Sequence, residues 1–181
     1  MLKKYLLGFL VFFFLLSTPM SFYLLSFSNT TVIFGQEKVM YNLPYPGILP
    51  DHPLYPLKAI RDKLTDLTTR DYVKKANIYL LFSDKRAAMS VALLKKGKNQ
   101  LAIDTFSKGE KYFLKIPDLL VTSKKQGVSA SSDFIVTLKL SNAKHRELIN
   151  EVAGELPQGQ NQEMLEILKM NQEIKDKLEK L

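Results

Sequence analysis

The sequence predicts an all-α protein: an N-terminal signal or anchor helix, a proline-rich arm, and a bundle of about four to five helices. Three observations predict it. An uncharged apolar run follows Lys3 and Lys4, five of the eight prolines crowd between Pro44 and Pro56, and apolar residues recur at three- and four-residue spacing from Leu57 onward. The division that follows is residues 1–35 as signal sequence or membrane anchor, 36–56 as the arm and 57–181 as the helical domain.

The apolar run carries no charge from Tyr5 until Glu37. Tyr5–Leu16 suits the centre of a secretory signal, and Tyr5–Phe27 is long enough to span a bilayer if Pro19 is accommodated. Both readings stay open. Cleavage sites are poor, with no alanine before Ala59 and only Ser26, Ser28 or Gly35 as small-residue candidates. In either case the lysines stay on the cytoplasmic side, so the rest of the chain is expected to be extracytoplasmic, membrane-anchored or secreted. The chain has no cysteine, which excludes disulfides, thiolate metal sites, a cysteine nucleophile and a lipid-modified cysteine.

The arm, QEKVMYNLPYPGILPDHPLYPL, is held extended by its prolines. Leu43, Tyr45, Ile48, Leu49, Leu54 and Tyr55 are too many apolar residues for a free linker, and they are expected to pin the arm across the bundle. Pro56 fits the first position of a helix running to about Thr68, with Leu57, Ile60, Leu64 and Leu67 along one side.

The stretch Asp71–Gly97 is the expected central helix. Val73, Ala76, Leu80, Ala87, Val91 and Leu94 form one apolar face, and Ile78, Phe82, Met89 and Leu93 form a second, so neighbours are needed on both sides. Thr68 and Asp71 have capping-box spacing, and Gly97 suits a left-handed stop. A third helix, Asn99–Ile116, should return as a hairpin on Ala102, Phe106, Gly109 and Phe113, with Pro117 ending or kinking it. Val121–Ser132 reads as an exposed loop. A fourth helix runs from Asp133 to about Val152, with Phe134, Leu138, Ser141, His145, Leu148 and Val152 on one face. The last, Asn161–Leu181, spaces Met164, Ile167, Asn171, Ile174 and Leu178 for packing on the bundle rather than for a coiled coil.

Chemistry is sparse. His52 lies among prolines and His145 on a helix flank, with no ligand-spaced pair. Glycines are scattered singly, so no phosphate loop is present, and Ser141 to Lys144 (SNAK) lies in a helical context that empties its Ser-x-x-Lys spacing of meaning. Asp84, Lys85 and Arg86 read as surface ion pairing. No enzyme activity, catalytic residue, metal or cofactor is expected.

The charge is uneven: of a net +8, the span Lys85–Lys125 holds +7. Lys95, Lys96 and Lys98 crowd the turn between the second and third helices, and Lys108, Lys111 and Lys115 recur along the third. These six are the candidates for contact with an anionic envelope polymer or lipid surface. A solvated face is the plainer account of them, and the lack of interleaved aromatics argues against nucleic acid.

LPYPGILPDHPLYPLKAIRDKL, DYVKKANIYLLFSDKRAAMSVALLKKGK and AKHRELINEVAGELPQGQNQEMLEIL together resemble a bacterial family of unknown function, over about Leu43 to Leu168. The resemblance rests on a proline-rich entry, Leu49-Pro50-Asp51-His52-Pro53-Leu54-Tyr55-Pro56-Leu57-Lys58, and on Lys74-Lys75-Ala76 with Leu80. It implies an exported helical domain found mainly in uncultured, small-genome bacteria, and supplies no activity or functional residue. This copy is more basic, and its Val121–Ser132 stretch departs from the continuous helix the resemblance implies. The functional expectation is a non-enzymatic extracytoplasmic protein-interaction or sensing module; the alternative is binding of anionic polymer or lipid through Lys85–Lys125. Expected partners are the membrane through an uncleaved N-terminus, a protein, or such a polymer.

Overall fold

The structure is a computed structural model that describes residues 38–157 and 161–181. The expected signal or anchor segment, residues 36–37 of the arm and Gly159 lie outside the described residues. Residues Lys38–Leu181 form one compact unit. Its described residues are helical without strands, in six helices: α1 Tyr55–Thr68, α2 Tyr72–Leu94, α3 Asn99–Phe113, α4 Ile116–Lys125, α5 Ser132–Glu155 and α6 Asn161–Leu178.

α2 is central, as its two apolar faces require: it packs on α3, α4 and α5, while α6 closes the bundle against α3, α4 and α5. Its N-cap is Asp71, whose carboxylate accepts from the Lys74 amide at 2.7 Å. Thr68 takes no part in that cap, because its hydroxyl donates back to the Leu64 carbonyl within α1. Gly97 stops the helix at φ 70°, with the Lys98 and Gly97 amides donating to the Leu93 and Leu94 carbonyls. α3 then folds back on α2. Gly109 makes the close approach workable: a Cβ there would sit 3.1 Å from Arg86 Cβ and 3.2 Å from the Ser83 carbonyl oxygen.

The stretch expected to be a loop is half helix. Pro117 begins α4 instead of merely ending α3, since proline needs no N–H in a first turn. Ile116 and Leu120 are buried, Asp118 sits in the first turn and Lys124 and Lys125 in the last, as the helix dipole favours. The true break is Gly127 at φ 84°, held by the Ser123 hydroxyl donating to the Val128 carbonyl at 2.7 Å. Ser131 caps α5 by accepting from the Phe134 amide. α6 packs on the bundle through Met164, Ile167, Asn171, Ile174 and Leu178, all buried.

The core is two apolar clusters. Ala76, Leu80, Phe82, Phe113, Ile116, Leu138 and Ile174 belong to one. Ala87, Ile103, Phe106, Leu148, Val152, Met164 and Ile167 belong to the other. In every long helix the boundary between them falls at a buried polar residue: Asp84 in α2, Glu110 in α3, Ser141, Asn142 and His145 in α5, and Asn171 in α6. A polar layer therefore crosses the middle of the bundle.

The arm does lie on the helices, but by only some of the side chains expected: Leu43, Leu49 and Tyr55 are partly buried. Tyr45 and Leu54 are exposed and Ile48 only partly covered. Leu43 packs against the core, the Val39 amide donates to Glu147 at 2.9 Å, the Tyr41 hydroxyl to Asp84 at 2.6 Å, and Asp51 accepts from Lys96 and Lys98. Prolines leave few backbone donors, so a segment of this kind is fastened at its ends and by side-chain bonds.

Candidate functional site

Three places bring chemistry together: the polar layer, the lysines, and the outer face of α1.

In the layer, His145 is wholly buried, so its placement on a helix flank is corrected. Its Nδ1 lies 2.6 Å from Glu110 Oε1 and its Nε2 3.0 Å from Asp84 Oδ1. Carboxylates only accept, so both ring nitrogens carry hydrogens and the ring is an imidazolium. Burial opposes that charge, but the Glu110 and Asp84 carboxylates outweigh it and raise His145 from its ordinary 6.5 to about 9. Asp84 is saturated further by the Ser141 hydroxyl at 2.6 Å and by Tyr41. Burial and the Asp84 carboxylate together push the Tyr41 phenol up. Asn171 donates to Glu110 at 3.4 Å and to the Asn142 carbonyl at 3.0 Å, and Asn142 returns a bond to the Asn171 carbonyl at 3.1 Å. Phe106 and Phe113 close edge-on around the imidazole.

Serine, histidine and aspartate meet here, but not as a nucleophilic triad. Ser141 gives its hydrogen to Asp84, both imidazole nitrogens are occupied, and the ring has no exposed surface. The arrangement binds four helices and the arm to one another. Among the described residues, no group of three or more imidazole or carboxylate side chains is placed to hold a metal ion.

Sequence reasoning missed Asp84 and Glu110 as core residues and read Asp84 and Arg86 as surface ion pairing. Both are buried, and Arg86 lies 4.5 Å over the Tyr112 ring while donating to the Phe82 carbonyl. The signal was available: Glu110 falls between Phe106 and Phe113 on the inner stripe, and Asp84 between Leu80 and Ala87. His52 is exposed, its Nδ1 accepting from the Leu54 amide.

The six lysines do not converge. Lys96 and Lys98 both bond Asp51, at 3.1 and 2.9 Å, and those bonds hold the Asp51 carboxyl below its usual range. The basic tip is thereby a docking point for the arm. Lys115 lies over the Tyr79 and Tyr112 rings. Lys111 borders a groove of about 250 Å³ together with Asp104, Glu163 and Glu166. Lys95 and Lys108 are exposed.

α1 is turned the opposite way from every other helix. Its polar side faces inward. Asp62 is buried, Asp66 accepts from the Tyr79 hydroxyl at 2.7 Å and from Lys75 at 3.0 Å, and Lys58 donates to the Pro46 and Ile48 carbonyls. Its apolar stripe faces out, with Leu57 64%, Ile60 57%, Leu64 57% and Leu67 67% exposed. α1 shares no extensive helix–helix contact with the bundle. Beside it, a cleft of about 430 Å³ is lined by Pro46, Ile48, Leu54, Leu57, Lys58 and Arg61, among others.

No curated protein and no solved structure matches the chain. Residues 47–181 match a family described as a domain of unknown function, DUF5667, so the match takes in the proline-rich entry, the inverted α1 and the whole polar-layered bundle. The chain therefore belongs to the DUF5667 family.

Proposed function

We propose that the protein is a non-catalytic, extracytoplasmic module that works by contact with another component of the cell envelope, made through α1. One observation carries this reading: α1 exposes its whole apolar stripe while the other helices bury theirs. A protein this size has ample polar sequence with which to face water, and Leu57, Ile60, Leu64 and Leu67 form one continuous patch instead of scattered residues. Full burial of each such side chain is worth about 1.5–3 kcal/mol, so a surface covering half of the four gains about 3–6 kcal/mol before the cost of association. The fixing of α1 by its polar face, through Asp66, Tyr79 and Lys58, keeps the stripe turned outward when the bundle folds. The extracytoplasmic placement is supported by Lys3 and Lys4 ahead of the apolar run. The non-catalytic reading is supported by the saturation of His145, whose two nitrogens already serve Glu110 and Asp84.

The test is photo-crosslinking in cells that produce the full chain, with the reactive residue at Leu64 or, as control, at exposed Lys169. Adducts at Leu64 and none at Lys169 are expected. Absence of adducts at Leu57, Ile60, Leu64 and Leu67 alike would remove the contact face, and chain shielded from protease added to spheroplasts would remove the placement.

A further inference from the structure

We infer that the occupant of the α1 face is an anionic lipid surface, on which α1 lies flat as an interfacial helix. This rests on the reading of α1 as the contact face and names what it contacts.

The arrangement of charge points to lipid. At 100° per residue, Leu57, Ile60, Leu64 and Leu67 occupy an arc of about 80°, with Arg61 about 40° beyond one border and Lys63 about 40° beyond the other. Those two are the exposed charges of α1. Both of its acids are withdrawn: Asp62 is buried and paired at 2.8 Å with Arg61, whose side chain stays 66% exposed, and Asp66 is engaged by Tyr79 and Lys75. Aliphatic residues in the middle with basic residues on both edges and acids on the far side is the distribution that lets a helix sink to the acyl boundary while its cations meet phosphates.

Size and connectivity point the same way. The stripe is about 15 Å long and offers four large side chains, against the 20–30 residues a side of a standard protein interface. A second copy would also set Arg61 and Lys63 against their own counterparts. As one element of a membrane contact, the stripe needs no such area, because weak membrane signals act in pairs. The second is in the sequence: the apolar run Tyr5–Phe27 ends fewer than thirty residues before α1, so a tether of at most about 100 Å joins α1 to that run. Met40, Tyr45, Ile48 and Leu54 in the arm are exposed as well, which adds apolar surface outside the bundle core.

Because the chain has no cysteine, a single introduced thiol is a unique label. The experiment takes the full chain carrying Leu64→Cys or, as control, Lys169→Cys. Each is labelled with an environment-sensitive fluorophore and incorporated in vesicles of phosphatidylcholine and phosphatidylglycerol, with and without nitroxide-bearing lipid. The Leu64 probe is expected to shift to the blue and to lose about half its emission to the nitroxide lipid, with the Lys169 probe unchanged. Replacing phosphatidylglycerol by phosphatidylcholine should weaken the quenching, and so should Arg61→Gln with Lys63→Gln. Equal quenching at the two sites, or a blue-shifted Leu64 probe that nitroxide lipid does not quench, overturns the proposal; the second result assigns the face to another copy or to residues 5–27. Leu67→Cys serves in parallel, so a labelled variant that misfolds by circular dichroism does not decide the matter. If quenching fails while cellular adducts at Leu64 remain protein adducts, the contact face stands with a protein partner; if both fail, the face itself falls.

Discussion

Replacing His145 by leucine tests the polar layer most directly. The substitution leaves Asp84 and Glu110 inside the bundle without the cation between them. Breaking a buried charge pair from one side costs about 3–5 kcal/mol, because the remaining charge is left uncompensated. The titration of His145 gives an independent figure. A value of about 9 in the folded protein, against 6.5 in the unfolded chain, corresponds to roughly 3 kcal/mol of stability. The sign is fixed by the direction: a raised pKa stabilises fully below about 6.5, and the contribution fades as pH climbs toward about 9. Urea unfolding of residues 38–181, followed by helical circular dichroism, should therefore show the unmodified protein losing stability across that window. His145→Leu should be weaker by about 3–5 kcal/mol at pH about 6, near 10 °C in Tm. The variant Asp84→Asn/Glu110→Gln/His145→Gln, which keeps shapes but has no titrating group, should recover part of that loss and lack the slope. A single variant weaker by less than about 1 kcal/mol, or a neutral triple variant that keeps the slope, would refute the account of the layer.

Tyr41→Phe removes the arm's bond to Asp84 and should cost about 1.5–3 kcal/mol in the same urea assay, with earlier protease cleavage near Leu43. Gly109→Ala should destabilise by about 1–3 kcal/mol despite alanine's better helix propensity, because its methyl meets Arg86 Cβ and the Ser83 carbonyl at a packed crossing; a gain in Tm would show that α2 and α3 separate freely there. Leu64→Gln with Leu67→Gln should change unfolding free energy by under about 0.5 kcal/mol, whereas Leu138→Ala should cost about 2–5 kcal/mol; equal losses would mean that the stripe is core.

Helix positions were legible because each rests on interactions within one or two turns. Gly97 stops α2, and the apolar stripes of α2, α3, α5 and α6 are buried where their spacing puts them, although the caps that the structure uses, Asp71 in place of Thr68 and Ser131, were not read as such. The second half of α4, Val121–Lys125, was read as loop because the glycine and serine that truly break the chain, from Gly127 onward, lie just beyond it, and its start was missed because Pro117 signals a helix start as readily as an end. The candidate sites were hardly legible at all. Asp84 and Glu110 look like surface charges in sequence, since a carboxylate is tolerated in a core only when a partner arrives from elsewhere, here His145 from 61 and 35 residues away.

By itself the sequence determined the all-α class, the bounds of most helices, the proline arm and the uncharged N-terminal run, all of which follow from local backbone preferences and hydrophobic period. Which way a stripe faces is not a local property. An amphipathic helix has two sides, and which one turns inward depends on what the neighbours offer. For α1 the neighbours offered the Tyr79 hydroxyl, the Lys75 ammonium and the carbonyls of Pro46 and Ile48, all polar partners, so Asp66 and Lys58 went in and the leucines stayed out. Tertiary packing alone decided that, just as it alone joined Tyr41, Asp84, Glu110 and His145 from four separate segments into one buried network.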